Sequence, residues 1–583
     1  MWKAIKETLP HSTNSDINAI YDDCKLRAGS MTIATILNKY FTSIGKKIQK
    51  VFTNLPTIWP DNIKYNYPSE FQLLSVTSDY VESELLKLKS NKSAGLDKIS
   101  VRMMKDAAGV IAPVLTRIIN NSFLNGCFPK RWKSAKVFAL FKDGERTSKD
   151  NYRPISVLPA VSKVIERIAH DQLGSYLKEN SILTSTQFGF RANRSTEMAL
   201  TNFTDDILKH MDNKQVTGVV YLDLKKAFDT VNHQVLMKKL KSVGVQGQTL
   251  CWFQSFLSNR SQQTIIANSL YESLKITVGV PQGSILGPLL FIIYINGVQS
   301  CLENCRMVIF ADDIAMFCPA STAVELQAKL DFDLQGVMNW LRNNKLLLNV
   351  PKSKLMIIGN SRKLKEFANI QLIANDAPLE RVQNFKYLGV VIDENLSWKS
   401  HIEKLQIKVS QRLGILRRIK HLLPKHARII FVNTMITSLL DYGSLVWGDK
   451  KNKIMMDSLQ VLHNKAAKLV LDRPMLSSSS DALRMLHWST LKQRRSIRKC
   501  LYVYKSINGI NDIDNTFIRN ADVHGYNTRH KNDLRPMKSS TCKGLLRSNC
   551  DFIADWNLLD ENIRNSSSLS NFKRAVFKFF KSI

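Results

Sequence analysis

No stretch constrains what this chain can fold into more than VIFADDIAMF, Val308 to Phe317. Two apolar runs, Val308 to Ala311 and Ile314 to Phe317, flank the adjacent carboxylates Asp312 and Asp313. Short apolar runs of β-branched and aromatic residues, broken by a two-residue polar step, predict the strands of a tight hairpin with both acids at its tip. A solvated turn would account for that pair alone. The stretch GVVYLDLKKAFDTVNH asks for more, because Asp223 lies inside the apolar run Val219 to Leu224. Burying an ionised carboxylate is costly unless it is paired or metal-bound, so two strands ending in acids predict a shared cation. Oxygen-only ligands with retained waters suit Mg²⁺. Two such ions held by a few carboxylates serve in-line phosphoryl or nucleotidyl transfer. The chain has no G-x-x-x-x-G-K-[ST] loop, so side chains would have to meet a triphosphate.

Charge narrows the partner. Lysine and arginine number 83 against 49 acids, a formal net charge of +34, which favours a polyanion. Nucleic acid and an anionic membrane surface both fit that balance. At 583 residues and 44% hydrophobic content the chain can bury more than one core, which excludes wholesale disorder. Its nine cysteines form no CxxC pair, and His524, His530, Cys542 and Cys550 are spaced too loosely for a zinc knuckle, so reduced intracellular thiols are expected. The N-terminus lacks the basic-then-apolar pattern of a signal peptide, and an intracellular protein, in cytoplasm or nucleus, is expected. The most apolar segment, Gly279 to Val298, runs unbroken only from Leu289 to Ile295, short of the roughly 20 residues a membrane span needs. A buried core helix is predicted there.

Along the chain, residues 1–79 mix weak helical pattern with Pro and Asn and read as an extended connector. Helical spacing then begins, with Ser78 or Asp79 as N-cap and a break at Gly95. Strands and helices alternate to about residue 395. Beyond residue 398 an apolar stripe is punctuated by Lys404, Lys408, Arg412, Arg417, Arg418 and Lys420, predicting a helix buried on one side and basic on the other. The serine runs at Ser477 to Ser480 and Ser566 to Ser568 read as surface loops.

In that order, YLDLKKAFDTVNH, GVPQGSILGPLLFIIYING and FADDIAMF resemble the palm motifs of reverse transcriptases of non-LTR (LINE-type, jockey-like) retrotransposons. Upstream, LKSNKSAGLDKIS, KVFALFKDGERTSKDNYRPISVLPAVSKVIERI and STQFGFRANRSTEMAL resemble the family's N-terminal and fingers motifs; downstream, LNVPKSKLMIIG and FKYLGVVIDENLSW resemble its last palm motifs. The resemblance implies an α+β right-hand polymerase with fingers and palm over residues 80–395, a helical thumb over 396–475 and a mostly helical C-terminal region over 476–583. It implies that Asp223, Asp312 and Asp313 are catalytic and hold two Mg²⁺ ions, for which Mn²⁺ can substitute. Lys142 and Arg153 would grip the dNTP triphosphate, a point charge beside a bidentate fork. Phe228 falls at the family's steric gate against a ribose 2′-OH, Gln282 and Gly283 would line the dNTP pocket, and Lys352 would protonate pyrophosphate. Phe385, Lys386, Tyr387, Leu388 and Gly389 resemble the primer-grip hairpin. Template RNA, a DNA primer and dNTPs are the implied partners, with no membrane. Such elements normally encode an endonuclease ahead of the polymerase, whereas this chain begins inside the connector, so a fragmentary product unable to nick DNA by itself is expected. The family-like YIND appears here as YING, with Gly297. The alternative is a catalytically retired or co-opted element protein that binds RNA without polymerising.

Overall fold

The computed structural model describes residues 17–52, 70–267, 269–448, 452–512, 517–523 and 530–582. Its first long element, α1 (Ser30–Lys50), falls in the stretch read as extended. Ile33, Leu37, Tyr40, Phe41 and Ile48 recur at helical spacing and form one buried face. That face packs on a fingers sheet built from β1 (Ser134–Phe141), β2 (Tyr152–Val157) and a later strand. Between the second and third fingers strands the chain forms α2 (Ser162–Glu179), α3 (Thr196–Asp212) and the first palm strand, β3 (Val216–Leu222). The third fingers strand, β4 (Arg260–Ile266), runs parallel to β1, which pairs antiparallel with β2. A buried polar anchor fixes α1 to this sheet: the Asn38 side-chain oxygen accepts from Gln262 Nε2 at 3.1 Å and Thr264 Oγ1 at 2.9 Å, and its Nδ2 donates to Glu272 O at 3.0 Å.

Next come α4 (Leu286–Ile295), β5 (Arg306–Phe310), β6 (Asp313–Ala320), α5 (Ala323–Asn343), β7 (Lys354–Ile358) and β8 (Glu380–Arg381). The palm sheet has the order β8-β7-β3-β6-β5, with β3 at its centre and all seven β3 residues buried. Period-two alternation divides its side chains between two cores. Val220, Leu222, Ile314 and Met316 join the core that contains α4 and α5. Val219, Tyr221, Ala315 and Phe317 face α3, the 384–393 hairpin and the helices that follow. A strand covered on both faces needs apolar residues at both alternating sets of positions, which is why Val219 to Leu222 reads as an unbroken hydrophobic run. Nine of the ten α4 residues are buried, so this segment is the expected core helix; among the described residues no helix is long and apolar enough to cross a membrane.

Two local expectations shift by one residue. Thr77, not Ser78 or Asp79, caps the helix Ser78–Lys87, its hydroxyl accepting from Tyr80 N; three consecutive capping residue types made the choice ambiguous. In the β5–β6 hairpin Asp313 pairs with Phe310, so the turn residues are Ala311 and Asp312, and Asp313 opens the strand. That register sets Ile314 opposite both Ile309 and Leu222, which keeps the apolar alternation of all three strands in phase.

After β9 (Asn384–Tyr387) and β10 (Val390–Asp393) the chain is helical: α6 (Lys399–Ile419), α7 (Lys453–Val470), α8 (Leu491–Ile507), α9 (Ser548–Trp556) and α10 (Leu569–Ser582). Helix α6 buries Ile402, Leu405, Val409, Leu413 and Leu416 and exposes Lys404, Lys408, Arg417 and Arg418, as its pattern predicts. Around α8, Cys500, Val503, Phe552, Trp556, Phe572 and Val576 form a separate C-terminal core.

Candidate active site

Two strand ends create the site. Asp223 follows the last β3 residue, and the β3–β6 register, Leu222 opposite Ile314, brings the Asp312 turn to the same edge of the sheet. Asp223 is half-buried and held on two sides: Asn349 Nδ2 donates to its Oδ2 at 2.7 Å, and its own N–H donates to Ser353 Oγ at 3.1 Å. Asn349 N also donates to Asp223 O at 2.8 Å. The loop carrying both partners leads into β7, which pairs with β3.

The Asp312 turn is braced from below. Ala311 has φ 58°, a left-handed conformation unfavourable for a residue with a Cβ. Its N–H donates to the side-chain oxygen of buried Gln187 at 3.0 Å, and the same oxygen accepts from Gly189 N at 2.8 Å. Phe188 N to Ile309 O at 2.7 Å and Ile309 N to Thr186 O at 2.9 Å sew this segment onto β5. A Cβ on Gly189 would come within 2.4 Å of Ala311 N, so glycine is required there. These contacts place STQFGFR directly beneath the acidic turn.

Charge around the acids is mixed. Burial raises the Asp312 carboxyl, and the Asp223 charge adds to it while Arg153 and Lys142 oppose. Asp313, open to solvent on one side, is pushed up to about 6 by the protein crowding it and then by Asp312 and Asp223, again against Lys142 and Arg153. The three acids and two cations singled out in the sequence therefore act on one another electrostatically. Lys142 follows the end of β1 and Arg153 sits on β2; both side chains are exposed.

The PQG turn joins fingers to palm. Ser156 N, on β2, donates to Gln282 O at 2.7 Å, and Gln282 Nε2 donates to Asp229 Oδ1 at 2.7 Å. Gly283 has φ +117°, and a Cβ there would meet Ser156 O at 2.4 Å. Phe228 lies beside Asp229 with its ring stacked on Phe291 of α4, centroids 4.4 Å apart, and edge-on to Phe190 at 6.1 Å. Behind the turn, buried Glu166 accepts from Ile285 N at 2.7 Å, at the N-terminal end of α4, where backbone N–H groups favour a carboxylate.

Lys352 is exposed on the loop that holds Asp223, close enough to Lys226 for its charge to depress that ammonium together with burial and Arg153. Phe385 to Gly389 form the expected hairpin: β9 pairs with β10 across Leu388 and Gly389, both at positive φ. Phe385 stacks on Tyr221 of β3 at 4.1 Å, and Tyr387 Oη donates to Val308 O at 3.1 Å, so the hairpin rides on the palm sheet beside the acids. Sequence reasoning missed Gln187, Asn349, Ser353, Asp229 and Glu166.

Among the described residues no three His, Cys, Asp or Glu side chains converge closely enough to cage a metal unaided. The donors nevertheless fit Mg²⁺, which keeps several waters and takes one or two carboxylates plus substrate phosphates. Burial, and after it the neighbouring carboxylate charges, raise Asp312 and Asp313, an excess of negative charge that a cation would neutralise.

A mixed palm sheet ending in carboxylates, a cation-bearing fingers sheet beside it and helices after it have the layout of the right-hand polymerase fold. Comparison with known proteins narrows that class: residues 142–392 match the family described as reverse transcriptase (RNA-dependent DNA polymerase), and the relatives the chain resembles are named as polymerases of mobile elements. It is 27% identical over 451 residues to the probable RNA-directed DNA polymerase from transposon BS of Drosophila melanogaster, covering 75% of this chain and 49% of the relative. Against the RNA-directed DNA polymerase from mobile element jockey, identity is 27% in D. melanogaster (71% of this chain, 46% of the relative) and 29% in D. funebris (58% and 37%). The chain thus spans about half the length of these curated relatives, or less.

Proposed function

We propose that this chain is the RNA-directed DNA polymerase of a non-LTR retrotransposon, extending a primer 3′-OH with dNTPs on an RNA template inside the cell. The observation that carries the reading is the convergence, at one edge of the palm sheet of a reverse transcriptase domain, of Asp223 and the Asp312–Asp313 pair with Lys142 and Arg153. Asp223, Asp312 and Asp313 would hold two Mg²⁺ ions, for which Mn²⁺ can stand in; when bound, the ions would activate the primer hydroxyl and stabilise charge on the departing pyrophosphate. Lys142 and Arg153 bind the triphosphate, Arg153 by its planar fork. Gln282 and Gly283 let the nucleotide approach the backbone, and Lys352 delivers a proton to pyrophosphate. Phe385 to Gly389 orient the primer end over the acids. In domain terms, residues 80–395 are fingers and palm, 396–475 the thumb whose exposed Lys404, Lys408, Arg417 and Arg418 track the nucleic-acid backbone, and 476–583 a C-terminal region; residues 1–79 precede the polymerase.

The test is extension of a DNA primer annealed to an RNA template by the purified protein with dNTPs and Mg²⁺. Extension supports the proposal. A folded protein that binds RNA in a salt-sensitive way yet adds no nucleotide supports the retired, RNA-binding element protein instead.

Sugar selection gives a second expectation. With Phe291 behind it and Phe190 across its edge, the Phe228 ring cannot swing away from a 2′-OH without breaking two aromatic contacts. Phe228→Val should lower the preference for dNTP over rNTP by about 10- to 100-fold, the scale on which a pocket senses small steric differences. Single-nucleotide incorporation with dCTP and rCTP would measure it, and unchanged discrimination would remove Phe228 from the gate.

A further inference from the structure

The segment that braces the Asp312 turn is itself held by the C-terminal region. Asp512, shortly after α8, accepts on one oxygen from Arg191 Nη2 at 2.7 Å and Arg194 Nε at 2.9 Å. Arg194, its side chain 4% exposed, reaches on to Ser185 O and to Gln187 O at 3.2 Å. Arg191 Nη1 donates to Thr184 O at 2.7 Å. Gln187 then supports Ala311 and, through it, the turn bearing Asp312. We infer that Asp512 and Arg194 are positioning residues for the acidic turn, and that the C-terminal region is a structural part of the polymerase site rather than a separate appendage.

Electrostatics favours this reading. Two guanidinium groups stand side by side in a largely buried setting, where burial and then the Arg194 charge disfavour the charged form of Arg191. Asp512 is the carboxylate that both of them contact; burial works to raise it, and its bond to Arg194 with the charges of Arg194 and Arg191 outweighs that and holds it below the usual carboxylate range. Removing one partner of such a group leaves an uncompensated buried charge. With Asp512 neutral, the arginines repel and release the Ser185 and Gln187 carbonyls, so the Gln187 side chain loses its fixed position. The C-terminal region is independently fastened behind the site: Arg498 pairs with Glu197 at 2.7 Å and Ser548 N donates to Asp205 at 2.9 Å, both on α3. Loss of the Asp512 contact therefore need not undock it.

The inference rests on the polymerase reading only for its kinetic arm. Hydrogen exchange of the Ala311 and Gly189 amides reads the brace directly, because both donate to Gln187. In Asp512→Asn these two amides should exchange at least about tenfold faster while α3 and α8 keep their protection. The rate of single-nucleotide addition should fall about tenfold or more with the dNTP KM little changed, since a displaced metal ligand alters the reacting geometry more than substrate binding. Arg194→Lys, which keeps the charge but loses the fork, should act in the same direction, and Asp512→Glu should restore both readouts. Unchanged exchange at Ala311 in a folded Asp512→Asn protein overturns the brace whether or not the protein polymerises. Faster exchange with no activity in the wild type sustains the brace and refutes the polymerase.

Discussion

If Asp312 holds metal as proposed, replacing it by asparagine is expected to abolish primer extension, a loss of about 10³-fold or more, because a ligand to an ion whose Lewis acidity is worth several kcal/mol would become neutral, and 1.36 kcal/mol is a factor of ten. Stability should move the other way. Burial and the Asp223 charge raise the Asp312 carboxyl, so without a bound cation its ionised form is disfavoured in the folded state relative to the unfolded chain, and its contribution at neutral pH is destabilising. An isosteric amide removes that penalty and keeps the turn, whose conformation is set by Ala311 and Gln187 rather than by the Asp312 side chain. The melting temperature of Asp312→Asn, measured in EDTA, should equal or exceed that of the wild type. Lost extension with undiminished stability assigns Asp312 a chemical role. Lost extension accompanied by a lower melting temperature would make it a structural residue instead, and retained extension would remove it from the site.

The parts of this site that were legible in sequence are those whose signal is local. A carboxylate inside an apolar run is conspicuous wherever it occurs, and the period-two alternation of β3, β5 and β6 needs only neighbouring residues to be read. Gly283 and the Leu388–Gly389 turn likewise announce a backbone requirement in the residue type itself. The supporting residues carry no such mark. Asn349 reaches Asp223 across 126 residues, and Gln187 reaches Ala311 across 124, and a polar side chain in a loop looks the same whether it faces water or a buried turn. Helix α3 makes the point most sharply. On it Asp205 accepts from Ser548 N and Asp212 from Thr541 N, partners more than 300 residues away that no local pattern reveals. The one-residue shift of the Asp-Asp turn has the same origin: two adjacent acids are equivalent locally, and only pairing with β3 selects which one enters the strand. The helical α1 was misread because Pro and Asn in its surroundings masked an apolar face that packs on strands about a hundred residues or more downstream.

Gly283→Ala should be nearly as damaging as loss of a carboxylate, by a different route. The position has φ +117°, a region essentially closed to residues with a Cβ, and the added methyl would meet Ser156 O at 2.4 Å. That oxygen belongs to β2, the strand carrying Arg153, and the neighbouring residue Gln282 is tied both to Ser156 N and to Asp229. Backbone cannot yield as a flexible side chain would, so the turn must lift away from β2. The proposed dNTP pocket and the proposed Arg153 grip would then be displaced relative to each other, and a displacement of about 1 Å in a positioning element costs about 10²-fold in rate. We therefore expect kcat/KM for dNTP to fall by about 10²-fold, together with a stability loss of about 1–3 kcal/mol from the strained conformation. Gly174→Ala in α2 is the matched control: a Cβ there meets nothing within 4 Å, and alanine in a helix interior is favoured over glycine by about 0.5–1 kcal/mol. That control should keep full activity and melt at the same temperature or higher. Should Gly283→Ala instead retain wild-type kcat/KM, the turn is free to relax away from Ser156, and the tight fingers-to-palm junction is not what aligns the nucleotide.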